Sequence, residues 1–479
     1  MHRFLARYIK QCVILFSLLM AFIQTANVIA NQDSIKDVCI VGAGASGMYS
    51  AFKLKQRGYS VAVLEKAPRV GGNTNTYYRK GNKYQPLGER YLTNKPFVEE
   101  LSRQLEIPMQ ALPEKTLNTI YVDFSRGLVM ENSKPSWSEW WSPGGNYKSS
   151  LARFESLFSL GVNLPEALLE DLLLNTGDYL ENNGLDVSFA IPLHHLNGFG
   201  NIEQLPALYL LSNLSVAEIE SINSKKCLVP EGGMDAIYKK IKNHLGEENF
   251  HTNTSLKKSN RIQLSRNGGI GSRIDIEAIK IDKKVNFSCK KLVVSIPPIL
   301  SNLKWLALDE VERDLFAQFQ SHDYWTVILK IFWLGADEEL VNLNMVSGVN
   351  AVKIPGIYKV QPTQFKNEFS ITFGATNGMS RGSVEKQIRH DIESLNFGEE
   401  RTSMTVVHHE RSVNHSPYGL TVSTEAIRNG FYSHLNHLQG RNSTYYVGAA
   451  IAGSHNTVDV WEHADSVINR YFPVRSHSD

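Results

Sequence analysis

A glycine-punctuated turn between two apolar strands constrains this chain more than any other feature. Lys36-Asp37-Val38-Cys39-Ile40-Val41 has the length and composition of a buried parallel strand, and glycines begin where it stops. Gly42 permits a tight turn, Gly44 lets backbone approach a pyrophosphate, and Gly47 allows a helix to pack closely on the strand. Residues Ser46 to Arg57 carry Met48, Ala51, Phe52 and Leu54 at helical spacing, and Gly58 supplies the stop. A second strand, Ser60 to Leu64, ends on Glu65, a carboxylate placed to accept hydrogen bonds from an adenosine ribose. An isolated GxGxxG is common in turns. Here strand, helix, second strand and terminal acid follow in order within one βαβ unit, so the dinucleotide reading outweighs a structural glycine turn.

The residues after Glu65 choose between dinucleotides. Arg69-Val70-Gly71-Gly72 places two adjacent glycines where a longer cofactor would need a second close backbone approach. In this element the chain resembles the flavoprotein group that includes monoamine and polyamine oxidases, protoporphyrinogen oxidase and the fungal cyclopiazonate dehydrogenases. The stretches 176–180, 205–209 and 440–448 look closest to the cyclopiazonate-dehydrogenase-like branch, and the resemblance runs from about Asp37 to Tyr471.

That resemblance implies an α/β fold: a Rossmann-type FAD-binding domain of the glutathione-reductase-like kind plus an α+β substrate domain. The chain would visit the FAD domain at 36–95, 227–298 and 441–472, and the substrate domain at 96–226 and 299–440. It also implies a set of FAD contacts: Gly42, Gly44, Ala45, Ser46 and Gly47 with Glu65 and Lys66; then Arg69, Gly71, Gly72, Asn73 and Gly88. Leu256 would reach adenine through its backbone. Gly448 and Ala449 would run beside the ribityl chain, and a turn at Val460-Trp461 would face the flavin O2 and N1 region. Many amine oxidases place a glutamate soon after the glycine that matches Gly448, whereas this chain has Ala449 and Ala450.

Two residues are candidates for catalysis. Lys330, inside the apolar run Val327 to Trp333, resembles the strand lysine that many amine oxidases hydrogen-bond through water to flavin N5; its plain alternative is the solvent face of an amphipathic strand. Trp461 is the second. His194-His195 could line the substrate cavity and His455, near the flavin end, could influence ring charge, but these and His408-His409-Glu410 read as simply as loop or strand histidines, and no metal site is expected.

Arg3, Arg7 and Lys10 precede an apolar stretch from Cys12 to Ile23, with small residues before Ala30, so 1–30 reads as a secretory signal peptide. The expected protein is therefore secreted or periplasmic, with no stable membrane span once the signal is cleaved. Cys39 reads as a small core residue, with Cys227 and Cys289 left either free or paired to each other. With 50 basic and 48 acidic side chains, no global field points to nucleic acid. The partners expected are a small-molecule donor and, as one candidate acceptor, oxygen; oligomeric state is not legible. An oxidase, a protoporphyrinogen-oxidase- or desaturase-like dehydrogenase, and a flavin-binding module without catalysis remain rival readings.

Overall fold

The computed structural model describes residues 35–79, 83–113, 116–130, 197–266, 269–343, 352–397 and 408–475, with parts of 151–183. The signal segment, the tryptophans at 137–141, and His194-His195 lie outside the described residues.

The first sheet grows from the glycine-turn unit. Lys36–Val41 pairs in parallel with Val61–Leu64, which pairs with Phe250–His251, and on its other side with the end of Lys283–Val294. The long strands Thr254–Arg266, Gly269–Lys280 and Lys283–Val294 form an antiparallel extension, and Thr444–Tyr446 adds in parallel to Leu292–Val294. Strands from residues 36–64, 250–294 and 444–446 therefore share one sheet, the α/β Rossmann-type architecture expected from the sequence.

Helices cover both faces, so the inner strands are apolar in both directions. Val38, Ile40, Val61 and Val63 turn toward the helices Ala45–Gln56, Asp235–Leu245 and Thr457–Tyr471. Cys39, Val41, Ala62 and Leu64 face a second core with Leu208, Leu210 and Phe431. The helix Pro96–Leu105 joins the first of these cores through Val98, Leu101 and Leu105, so the nucleotide domain extends past residue 95 before the chain leaves it.

The second sheet has the strand order 408–414, 320–330, 368–375, 356–362, 338–342, 118–123 and 128–129. It is mostly antiparallel, with Asn118–Asp123 and Glu338–Asn342 as a parallel pair. Helix Arg381–Glu393 buries Val384, Ile388 and Ile392 against it.

Cysteine chemistry differs from the expectation. Cys39 and Cys289 form a disulfide across neighbouring parallel strands, with Cα atoms 5.8 Å apart, and Cys227 is the one free thiol among the described residues, and it is buried. Both cysteines lie in the same core, although the strand register sets Cys289 opposite Lys36 and Leu292 opposite Cys39. Cys227 lies near Leu228–Pro230, which pairs with Met109–Ala111 outside this sheet.

Candidate functional site

The three chain visits meet over the start of the first helix, Ala45–Gln56. Gly44 is its N-cap with φ −78° and ψ −171°, no side chain caps it, and no acidic residue occupies its first turn. The helix thus presents uncapped N–H groups, with the macrodipole favouring an anion. A Cβ on Gly47 would lie 2.1 Å from the Gly42 carbonyl oxygen, so this glycine lets helix and strand touch. A Cβ on Gly44 would meet only the Gly72 Cα, at 3.8 Å, leaving its outward face open. These are the properties that a pyrophosphate seat requires, and they fit a dinucleotide cofactor.

Glu65 is fixed for its role by two backbone donors. Its Oε2 accepts the Ala43 N–H and its Oε1 the Ala67 N–H, both at 2.7 Å, which leaves lone pairs on both oxygens for ribose hydroxyls. Lys66 is exposed beside it. Arg69 shapes the next loop, donating to the carbonyls of Val70, Gly72 and Thr74 at 2.6 to 3.2 Å. This loop is held against the first turn by Gly71 N–H to Ala43 O at 2.7 Å, and Gly72, at φ +55°, lies against Gly44 backbone to backbone. Gly88 packs on the Asn73 carbonyl, where a Cβ would sit 1.9 Å from the oxygen. Near the adenosine end, Thr254 N–H donates to Glu65 O at 2.9 Å, and Leu256 begins a local irregularity in its strand. Gly448, at φ +120°, completes the ring: a Cβ there would meet the Ser46 hydroxyl at 3.5 Å, and Ala449 starts the short helix that follows.

The structure places two expected contacts elsewhere. Val460 and Trp461 do not form a turn; they lie inside the helix Thr457–Tyr471, and the Val460 N–H is already given to Asn456 O at 3.1 Å. Trp461 is fully buried, donates its indole N–H to Ala45 O at 3.2 Å, and packs against Tyr49 and Tyr238. It locks the last helix onto the first and does not reach a substrate. The helix start that faces the site is Asn456–Val458, with Asn456 Oδ1 accepting from Val458 N–H.

Lys330 is also displaced from the chemistry. It ends its strand, pairs with Glu410 at 2.7 Å and stays partly exposed. Its neighbourhood is a charged cluster that includes Arg79 and Glu368, the solvent-side alternative of the two. Four residues earlier on the same strand, Thr326 is buried and contacts His415 Nε2 at 3.2 Å, and the His415 ring lies 3.4 Å from where a Gly88 Cβ would be. Lys330 marks the right strand but the wrong end of it. His409 contacts Ser412 and Glu385, and the described residues contain no cluster able to hold a metal.

An aromatic wall on the substrate-sheet side was not recognised in the sequence. Tyr324 and Tyr418 lie 4.9 Å apart between ring centroids, Tyr358 and His415 flank Tyr324, and His455 packs 4.7 Å from both Tyr418 and Phe199. Burial lowers His415 and His455 to about 4, so both rings are neutral, and burial raises the Tyr324 and Tyr418 phenols. The wall is therefore uncharged and aromatic at neutral pH. Alternation on Gln320–Lys330 puts Tyr324 and Thr326 on one face, and His455 was placed near the flavin end by sequence; the partners from residues 199, 358, 415 and 418 carry no such signal.

Comparison with known proteins agrees with this geometry. Residues 40–104 match the NAD(P)-binding Rossmann-like domain family. The chain is 26% identical over 462 residues to a β-cyclopiazonate dehydrogenase of Aspergillus flavus, covering 94% of this chain and 96% of that one. It is 28% identical over 440 residues to an FAD-dependent oxidoreductase of Apiospora sacchari, covering 89% and 90%. Among solved structures, a fatty acid isomerase from P. acnes aligns with a TM-score of 0.69 at 17% identity, covering 91% of this chain and 99% of that one. A cyclohexylamine oxidase from Brevibacterium oxydans aligns with a TM-score of 0.61 at 15% identity, with the same coverage. Along nearly its whole length the chain is thus similar to FAD-dependent oxidoreductases, and its fold is shared with a cyclohexylamine oxidase.

Proposed function

We propose that this chain is an exported FAD-dependent oxidoreductase that moves a hydride from a C–N or C–C bond of a small, partly apolar donor to the flavin. One observation carries the reading: an uncapped helix start, edged by Gly44, Gly72 and Gly448, opens beside an uncharged aromatic wall built on the other domain. The flavin, when bound, supplies the two-electron acceptor. Gly44 to Gly47 would hold the pyrophosphate and Glu65 the ribose, with the Gly88 and Gly448 backbones lining the remainder of the cofactor site. Tyr324 and Tyr418, backed by the buried Tyr358 and Phe199, offer flat apolar surface to orient a donor and exclude water. Export is supported by the apolar leader with its basic start and by the Cys39–Cys289 disulfide, a bond that persists in oxidising compartments.

A dehydrogenase or desaturase is the second reading, favoured by the commitment of Lys330 to Glu410 rather than to the site. The deciding experiment is a visible spectrum of the mature protein, followed by anaerobic addition of amines and of saturated ring donors, then air. Peroxide formed from amines supports an oxidase; bleaching only by ring donors, with an artificial acceptor needed for turnover, supports a dehydrogenase. A colourless protein that takes up no FAD would refute both.

A further inference from the structure

The first sheet brings a residue from outside the glycine turn up beneath it. Strand Lys283–Val294 runs parallel to Lys36–Val41 with Val294 opposite Val41, so the next residue, Ser295, falls beside Gly42. Its N–H donates to the Val41 carbonyl at 2.9 Å, and Pro297 and Pro298, which follow, cannot extend the pairing. The Ser295 hydroxyl enters the turn itself. A Cβ on Gly42 would lie 2.8 Å from Ser295 Oγ, and a Cβ on Gly47 2.4 Å from it. Two glycines of the turn therefore make room for one oxygen that arrives on a later visit of the chain.

That hydroxyl donates to the carbonyls of Val41 at 2.8 Å and Gly42 at 3.0 Å, a shared three-centre bond. The Val41 carbonyl also has the Ser295 N–H. Among the described residues no backbone N–H reaches the Gly42 carbonyl, so the hydroxyl is its donor. Peptide planarity carries the effect to the other side of the turn. In a trans peptide the C=O and N–H point in opposite directions, so drawing the Gly42 oxygen toward Ser295 turns the Ala43 N–H away from it. This is the N–H that Glu65 Oε2 accepts at 2.7 Å. The Ala43 carbonyl is held in turn by the Gly71 N–H at 2.7 Å. Ser295 and Glu65 thus grip one peptide unit from opposite sides.

We propose that Ser295 is a positioning residue for the cofactor, setting the orientation of Glu65 through the Gly42–Ala43 peptide; the inference rests on reading the chain as an FAD-binding protein. Without the hydroxyl, the buried Gly42 oxygen lacks a donor and its peptide turns to find another. Glu65 then loses the Ala43 N–H and keeps only that of Ala67, so its carboxylate swings away from the ribose. Ser295 contributes from beneath the turn and only while Glu65 is present to receive the oriented N–H.

The test is a double-mutant cycle on FAD affinity, measured by flavin-fluorescence titration of the cofactor-free wild type, Ser295→Ala, Glu65→Ala and the double variant. Ser295→Ala should weaken FAD binding about 3–10-fold with Glu65 in place. In the Glu65→Ala background the same change should cost less than about twofold, because residues acting through one peptide are not additive. A role in packing alone would lower the melting temperature and weaken binding by the same factor in both backgrounds. Equal factors, or no loss with Glu65 present, would overturn the proposal. Amide hydrogen exchange of the cofactor-free proteins gives a reading independent of FAD: Ser295→Ala should speed exchange at Ala43, and unchanged exchange there would also overturn it. Should Ser295→Ala fail to fold, Ser295→Cys, similar in shape but a weak donor, takes its place with the same outcomes. A wild-type protein that takes up no FAD would instead defeat the cofactor reading itself, so the two failures are distinguishable.

Discussion

Two glycines of the same turn should fail in opposite ways. Gly47→Ala puts a methyl carbon 2.1 Å from the Gly42 oxygen, where a carbon–oxygen contact needs about 3.3 Å. The first helix must then retreat from its strand by about 1 Å, disturbing a core that holds Met48, Phe52 and Trp461. Overpacking of this kind costs about 1–3 kcal/mol, a fall of roughly 1–3 °C in the melting temperature of a cofactor-free protein of this length. Gly44→Ala has no such conflict: its backbone angles suit alanine, and its methyl would meet only Gly72 Cα at 3.8 Å. That methyl instead occupies the phosphate's approach and weakens charge-assisted hydrogen bonds worth about 1.5–3 kcal/mol each. The expected loss of FAD affinity is about 10–150-fold with an unchanged apoprotein melting temperature. Differential scanning fluorimetry of the stripped proteins and flavin-fluorescence titration measure the two quantities separately. The placement of the pyrophosphate would be refuted if Gly44→Ala bound FAD within twofold of wild type.

Three further outcomes follow from the same geometry. His415, His455 and His463 are each lowered to about 4 by burial, so the stability gained by keeping them neutral is complete above the unfolded value near 6.5 and is lost as pH falls through about 4. Each contributes up to about 3 kcal/mol; melting curves between pH 7 and 4 should therefore drop, and His463→Leu, remote from the site, should flatten them, whereas an unaltered curve would contradict the assignment. Lys330→Met should leave turnover within about twofold and cost no more than about 1 kcal/mol, because its ion pair is partly exposed; a hundredfold loss of flavin reduction would return Lys330 to the chemistry. Thiol labelling of the unfolded, unreduced mature protein should find Cys227 alone, and labelling of Cys39 or Cys289 would count against both disulfide and export.

The adenosine end of the site could be read from the sequence because backbone geometry forces residue type there. Only glycine fits where Gly47 meets Gly42, and only glycine comfortably takes the positive φ at Gly71, Gly72 and Gly448. Glu65 was legible because a strand end fixes its position relative to the turn. The flavin and donor end was not, since an aromatic ring serves equally in a core or in a binding wall. Tyr324, Tyr358, Tyr418 and His455 come from separate segments, and only the folded chain assembles them. The errors have the same origin. Trp461 and Lys330 were chosen by their place in a motif, and a shift of a few residues along a helix or strand decides whether a side chain meets the site, the core or the solvent.

The closing of the ring by Gly448 against Ser46, and of the last helix onto the first through Trp461 and Ala45, ties the beginning of the nucleotide site to its end. A chain emerging from its amino end displays the glycine turn early but cannot complete the seat until residues 444–471 have arrived. Cofactor loading is then an event of the finished polypeptide. For a protein carried unfolded across a membrane, it would have to occur on the far side, which makes the local supply of free flavin a condition of its maturation.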